Sequence, residues 1–271
     1  MTSFFNTLIP FEQLRPDMLL IDVSFDLSDT DAGERAYAAG HMSGAHYLHL
    51  DRDLSGPKSG TNGRHPLPDR AAFAARLRAL GLSKNTQVVA YDAQGGMYAA
   101  RLWWMLRWIG HANAAVLDGG KQGPLTTELP PVKDGDFELG EALVASIDAD
   151  TLQARLGNVR LIDARAPERF RGEVEPLDKQ AGHIPGAANR LFKLNLAEDG
   201  RFKSPEQLRA EFAPLLAPHA AAQTVHQCGS GVTACHNLLA MSYAGLEGAA
   251  LYPGSWSEWS SDPLRPIAKS S

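Results

Sequence analysis

The segment Thr224-Val225-His226-Gln227-Cys228-Gly229-Ser230-Gly231-Val232-Thr233-Ala234 reads as a short apolar strand, then a glycine-rich loop opened by a cysteine. A helix-like run follows from Cys235 through Ala244. Strand, tight loop and helix in this order are the unit of a parallel α/β sheet, in which ligands gather beyond the carboxyl ends of the strands. A cysteine at that point sits in a nest of backbone N–H groups at the positive end of a helix dipole. An ordinary thiol of pKa ~8.5 is only about 3% thiolate at neutral pH, and such surroundings lower that pKa by one to several units. Cys228 is therefore either an activated nucleophile or a structural cysteine buried before a turn.

The rest of the chain narrows the choice. Its 271 residues suit two domains of average size, and 44% hydrophobic with 21% charged residues is ordinary for a packed core. The net charge of −5 and the lack of any basic run argue against a nucleic-acid surface. No apolar stretch approaches the ~18–20 residues of a membrane helix, and Met1–Pro10 does not read as a secretory signal. The two cysteines, Cys228 and Cys235, flank one tight loop, and a bridge between them would distort it. The expectation is a free-thiol protein of a reducing, cytoplasmic compartment.

The chain repeats itself. Met18-Leu19-Leu20-Ile21-Asp22-Val23 returns as Val159-Arg160-Leu161-Ile162-Asp163-Ala164, and Gly40-His41-Met42-Ser43-Gly44-Ala45 returns as Gly182-His183-Ile184-Pro185-Gly186-Ala187. Val88-Val89-Ala90-Tyr91-Asp92 aligns with Thr224-Val225-His226-Gln227-Cys228. A repeat this long is a duplicated domain. The pattern predicts domains over 1–138 and 147–271, with the boundary in 130–148, where Pro130-Pro131 and an acidic stretch interrupt the periodicity. Between the strands lie helices. Asp69 to Leu80 carries Phe73, Leu77 and Leu80 on one face and ends at Gly81. Ser204-Pro205-Glu206-Gln207 is a capping-box start, with Leu208, Phe212 and Leu215 as the expected buried stripe. Met97 to Ile109, with Trp103, Trp104 and Trp108, reads as a core helix. Both halves are thus expected to be mostly parallel sheets with helices on both faces.

The paired Leu-Ile-Asp strands, the two Gly-His-x-x-Gly-Ala turns, Cys228-Gly229-Ser230-Gly231-Val232-Thr233 and Gly254-Ser255-Trp256-Ser257-Glu258-Trp259 together resemble the tandem-rhodanese sulfurtransferases. The resemblance runs from about residue 8 to 262. Within that family a Cys-Gly-Ser-Gly-Val-Thr loop marks the 3-mercaptopyruvate branch, whereas the thiosulfate branch places basic residues just after the cysteine. The resemblance implies that Cys228 takes sulfane sulfur from a small anionic donor as a persulfide. It then passes the sulfur to a thiol acceptor (a small thiol or a thioredoxin-like protein) or to cyanide, with no cofactor and no metal. Backbone N–H groups of Gly229, Gly231, Val232 and Thr233 are expected to hold the charged sulfur. Asp92 stands where the first half would carry its cysteine, so that half is expected to be catalytically silent.

A mercaptopyruvate donor needs proton transfer. The resemblance supplies a serine–histidine–aspartate set, which falls here on Ser230, His65 and Asp51, with the silent half contributing to the site. It also supplies a carboxylate-binding arginine at Arg169, with Arg171 as a backup. A second family arginine, just before the Gly-His-Ile-Pro-Gly turn, is replaced by Leu177, so one anchor is missing or comes from elsewhere. Thiosulfate remains the alternative donor. A cysteine phosphatase would need an arginine at Ala234, and a non-catalytic interaction module would lack the cysteine. His226, His236 and Cys235 lack the spacing of metal ligands and read as structural.

Overall fold

A computed structural model describes residues 4–270. In the first half the elements are β1 (Leu8–Ile9), β2 (Leu19–Asp22), α1 (Ala32–Ala39), β3 (His41–Met42), β4 (Ala45–Tyr47), α2 (Arg70–Arg78), β5 (Val88–Tyr91), α3 (Ala99–Trp108), β6 (Ala114–Leu117) and β7 (Leu125–Thr126). The second half runs β8 (Ala145–Ser146), α4 (Ala149–Ala154), β9 (Arg160–Asp163), α5 (Pro167–Arg171), β10 (Ala188–Asn189), α6 (Pro205–Leu216), β11 (Thr224–Gln227), α7 (Thr233–Tyr243), β12 (Ala250–Leu251) and α8 (Ser255–Trp259).

Each half forms a five-stranded parallel sheet, β4-β2-β5-β6-β1 in the first and β10-β9-β11-β12-β8 in the second. The two orders are the same, strand for strand, as a duplication requires. The central strands are buried throughout: all four residues of each of β2, β5 and β11 are buried. Continuous burial, rather than alternation, marks a sheet covered on both faces. Helix α3 packs on β5 and β6, and α7 on β11 and β12.

The sequence signals for helices hold with two shifts. Ser204 Oγ accepts from Gln207 N while Gln207 Oε1 accepts from Ser204 N, so the capping box opens α6 as expected. Its buried residues are Leu208, Phe212 and Leu216, and Leu215 is only half-buried. At 3.6 residues per turn Leu216 lies about 40° from Phe212 and Leu215 about 60° the other way, so the face centred on Phe212 takes Leu216. Helix α2 starts at the Asp69 cap but stops at Arg78, two residues early. Leu80 is still buried, and Gly81 makes the turn at φ +101°. Trp103 and Trp104 of α3 are core residues.

The chain divides into two compact units, and the division is not a single cut. One unit holds the chain through Gly56, Pro68–Leu143 and Glu198–Phe202; the other holds Pro57–Leu67, Val144–Ala197 and everything from Lys203. His65, although it lies in the first half of the sequence, therefore belongs to the same unit as Cys228. Among the described residues no helix is long and apolar enough to cross a membrane.

Candidate active site

Strand β11 delivers Cys228 to the carboxyl edge of the second sheet, and its backbone turns at once into the N-terminus of α7. The cysteine is free and buried. Its loop is held from one side by the segment that opens α8. Cys228 N donates to Ser255 Oγ at 3.1 Å, Trp256 N donates to Cys228 O at 3.0 Å, and Ser257 N donates to Gly229 O at 2.9 Å. Ser255 sits at φ +54°, a conformation a side chain rarely adopts, and its hydroxyl donates in turn to Tyr252 O. Strain of this sort is kept where the surroundings over-determine it. The Gly-Ser-Trp-Ser-Glu-Trp run is thus the support of the cysteine loop, a role that no residue type in it announces. Gly231 closes the loop at φ +74°, where an added Cβ would lie 2.2 Å from Pro253 O. Only glycine fits.

The Pro57–Leu67 segment brings two side chains to this loop. Gly63 packs on Gly254, and Arg64 N donates to Ser257 Oγ at 3.0 Å, which pins the segment to the start of α8. His65, 3% exposed, then places Nδ1 2.7 Å from Ser230 Oγ. When the hydroxyl donates, Nδ1 accepts and the ring proton sits on Nε2. The Ser230–His65 pair of the sequence reading is therefore assembled. Asp51 lies in the first unit, in the turn after β4, where its N–H donates to His49 Nδ1 at 3.1 Å.

Arg169, on α5, is bound to two buried carboxylates. Its Nη2 lies 2.6 Å from Glu175 Oε1 and 3.3 Å from Asp178 Oδ2. Arg64 Nη1 pairs with the other oxygen of Asp178. Burial pushes the Asp178 carboxyl above its ordinary range, and the Arg64 guanidinium beside it acts in the opposite sense. Both arginines reach the cysteine loop: a Cβ on Gly229 would lie 2.7 Å from Arg64 Nη2 and 3.6 Å from Arg169 Nη1. The loop is neutral in sequence, yet two guanidinium groups face it. Arg64 was not legible as a site residue; its only signal is adjacency to His65. Arg171 instead pairs with exposed Glu173, and Leu177 is half-exposed.

The equivalent loop of the first unit is already filled. Asp92, fully buried at the end of β5, accepts from Gln94 N and Gly96 N on one oxygen and from Tyr98 N and Ala99 N on the other, all at 2.8–2.9 Å. Burial pushes this carboxyl up, against the four N–H groups. The duplicated nest is thus occupied by a carboxyl group of the chain's own. Asp92→Asn would turn an NH2 toward one of these donor pairs, and each orphaned buried donor costs about 1–3 kcal/mol. The expected outcome is a lower Tm with kcat retained in the folded enzyme; a loss of kcat would give the first unit a chemical role.

Cys235, His226 and His236, close to Cys228 in the chain, are all buried. Cys235 is buried in α7 with Sγ donating to Gly231 O. His226 is buried in β11, and desolvation pulls its pKa down to about 3. His236 Nδ1 lies 3.1 Å from Asn195 Nδ2. Among the described residues no cluster of His, Cys, Asp and Glu has the arrangement of a metal site.

Comparison with known proteins agrees with this geometry. The family model of the rhodanese-like domain matches twice, at residues 11–123 and 148–262. A probable 3-mercaptopyruvate sulfurtransferase of Pseudomonas aeruginosa is 49% identical over 263 residues, covering 93% of each chain. A putative thiosulfate sulfurtransferase, SseB, of Mycobacterium tuberculosis is 40% identical over 92% of this chain and 90% of its own. Among solved structures, the rhodanese-fold 3-mercaptopyruvate sulfotransferase SseA of Escherichia coli superposes with a TM-score of 0.78 at 29% identity, over 94% of this chain and all of the other.

Proposed function

This chain belongs to the tandem-rhodanese sulfurtransferase family, and on that premise we propose that it transfers sulfur from 3-mercaptopyruvate to a thiol or to cyanide through a persulfide on Cys228. The observation that carries the reading is the buried Cys228 at the β11–α7 junction, with Ser230 Oγ 2.7 Å from His65 Nδ1 in the same loop system.

The Cys228 thiolate attacks the sulfur of the donor. The carbon–sulfur bond breaks, its electrons pass to carbon as the enolate of pyruvate, and Cys–S–S⁻ forms. The thiol proton of the donor is relayed to the enolate carbon, so pyruvate leaves with its methyl group complete. Ser230 and His65 are the groups for this relay. The N–H groups of Gly229, Gly231, Val232 and Thr233 hold the anionic sulfur before and after attack. Arg169 takes the donor carboxylate. The acceptor, a small thiol or a thioredoxin-like protein, then removes the outer sulfur and regenerates the thiolate. Two free cysteines and no disulfide fit a reducing, cytoplasmic compartment.

One observation favours thiosulfate as donor instead. Arg64 and Arg169 together offer two positive charges beside Gly229, which suits a dianion. The deciding experiment is a steady-state comparison of kcat/KM for the two donors with one acceptor. Mercaptopyruvate is expected to be the better substrate. A preference for thiosulfate would assign the two arginines to a sulfonate-like group and leave the Ser230–His65 pair without its proton-handling role.

A further inference from the structure

We propose that the first unit carries an oxyanion site of its own: a cavity beside the edge strand β4 in which His46, Arg52 and Arg76 hold a sulfate or phosphate group. The cavity measures about 390 Å³, a size that suits a small molecule, and Glu34, Tyr47 and Asp53 also line it. All of these residues belong to the first unit, whereas Cys228 belongs to the second.

Three observations point to an anion. First, His46 is 9% exposed and lines the cavity, yet neither ring nitrogen has a hydrogen-bond partner among the described residues. Buried polar groups are normally paired, and a ligand supplies the missing partner here. Second, the two guanidinium groups keep donors in reserve. Arg76, on α2, spends Nε on Asp53 Oδ1 at 2.8 Å, and Arg52, in the turn after β4, spends Nη2 on Glu34 Oε2. Their other N–H groups have no partner among the described residues, and the side chains are 44% and 55% exposed, so a solute reaches them. Third, the acceptors of the cavity are committed. Asp53 accepts from His49 N through its other oxygen, and Glu34 holds Arg52. The hydroxyls of Tyr37 and Tyr47, on the same wall, donate to Ala45 O and Ser24 O. What the cavity has left to give is N–H groups from a strand, a turn and a helix. Donors meeting from three elements suit a tetrahedral oxyanion.

The charges around His46 give the site a pH dependence. Burial, and after it the Arg76 cation, hold the His46 pKa below its ordinary value. Glu34 and Asp53 are paired with the two arginines, and burial keeps Tyr37 and Tyr47 protonated. A bound dianion offsets the field of Arg76 and raises the His46 pKa. By linkage the protonated ring holds the anion more tightly, so affinity rises as pH falls through that pKa.

The test is a titration with sulfate, whose charge is fixed over the working pH range, at ionic strength held constant with sodium chloride. The readout is the His46 ring signal in proton–carbon NMR spectra, assigned with His46→Gln, and the His65 ring reports on the cysteine loop in the same spectra. The His46 signal is expected to shift to saturation, with tighter binding at about pH 6 than at about pH 8. Arg76→Ala should weaken sulfate by roughly 10-fold or more, the effect of one lost charge-assisted hydrogen bond. Asp53 keeps the His49 N–H in that variant, which limits the structural damage. Arg52→Gln repeats the test at a second, more exposed donor. In His46→Gln, followed through the Tyr47 backbone amide, the pH dependence should vanish. A His46 shift that never saturates, or that chloride reproduces, overturns the site. So does an unchanged affinity in Arg76→Ala, or movement of the His65 signal alone, which would put the anion at the cysteine loop. A phosphate titration run alongside identifies the source: tighter sulfate assigns the cavity to sulfur oxyanions and tighter phosphate to phosphorylated molecules, and either sustains the site.

Discussion

Cys228→Ser is expected to lose sulfur transfer from every donor, by on the order of 10⁴-fold or more, as removal of a covalent nucleophile does. A serine hydroxyl at the same place is a poor thiophile and cannot store sulfane sulfur. Cys235→Ser is expected to keep most of the activity. Its sulfur is buried in α7 and donates to Gly231 O, a bond that a hydroxyl can also make, so the cost falls on packing and amounts to about 1 kcal/mol. Turnover of the two variants with mercaptopyruvate and with thiosulfate, alongside their Tm values, separates the roles. A dead Cys235→Ser of normal stability would contradict the assignment.

The second large effect is selective. His65→Ala and Ser230→Ala remove the two partners of a 2.7 Å contact in a buried site. Proton transfer by a positioned group contributes roughly 10²–10⁴-fold, so kcat for mercaptopyruvate should fall by about that factor. Thiosulfate needs no proton delivered to carbon, since sulfite leaves as an anion, and its turnover should fall far less. The ratio of the two losses is the informative quantity. Equal losses would mean that the pair only supports the loop.

The residues differ in how readable they were. Cys228 and its loop were legible because a strand, a glycine turn and a helix start are local patterns, and the repeat placed Asp92 opposite it. Ser230 and His65 came from a motif resemblance, and their contact spans 165 positions of chain that no periodicity describes. The exchange that builds Pro57–Leu67 into the second unit was not legible, because nothing in that polar, glycine-containing segment says which sheet it packs on. Arg64 was missed for the same reason. Its place beside the cysteine loop depends on Asp178, more than a hundred residues away, and on the Cβ that Gly229 lacks. The Leu215 error in α6 has a smaller cause: two leucines share the last turn, and the position of Phe212 on the sheet decides between them.

Mass analysis after one donor cycle without acceptor tests the central claim most directly. The protein is mixed with excess mercaptopyruvate, desalted and mapped by peptide. The account predicts one added sulfur, about 32 Da, on the peptide bearing Cys228, with one pyruvate released per chain and loss of the added mass on exposure to cyanide. Sulfur found on Cys235, or pyruvate released with no mass gained at Cys228, would contradict it.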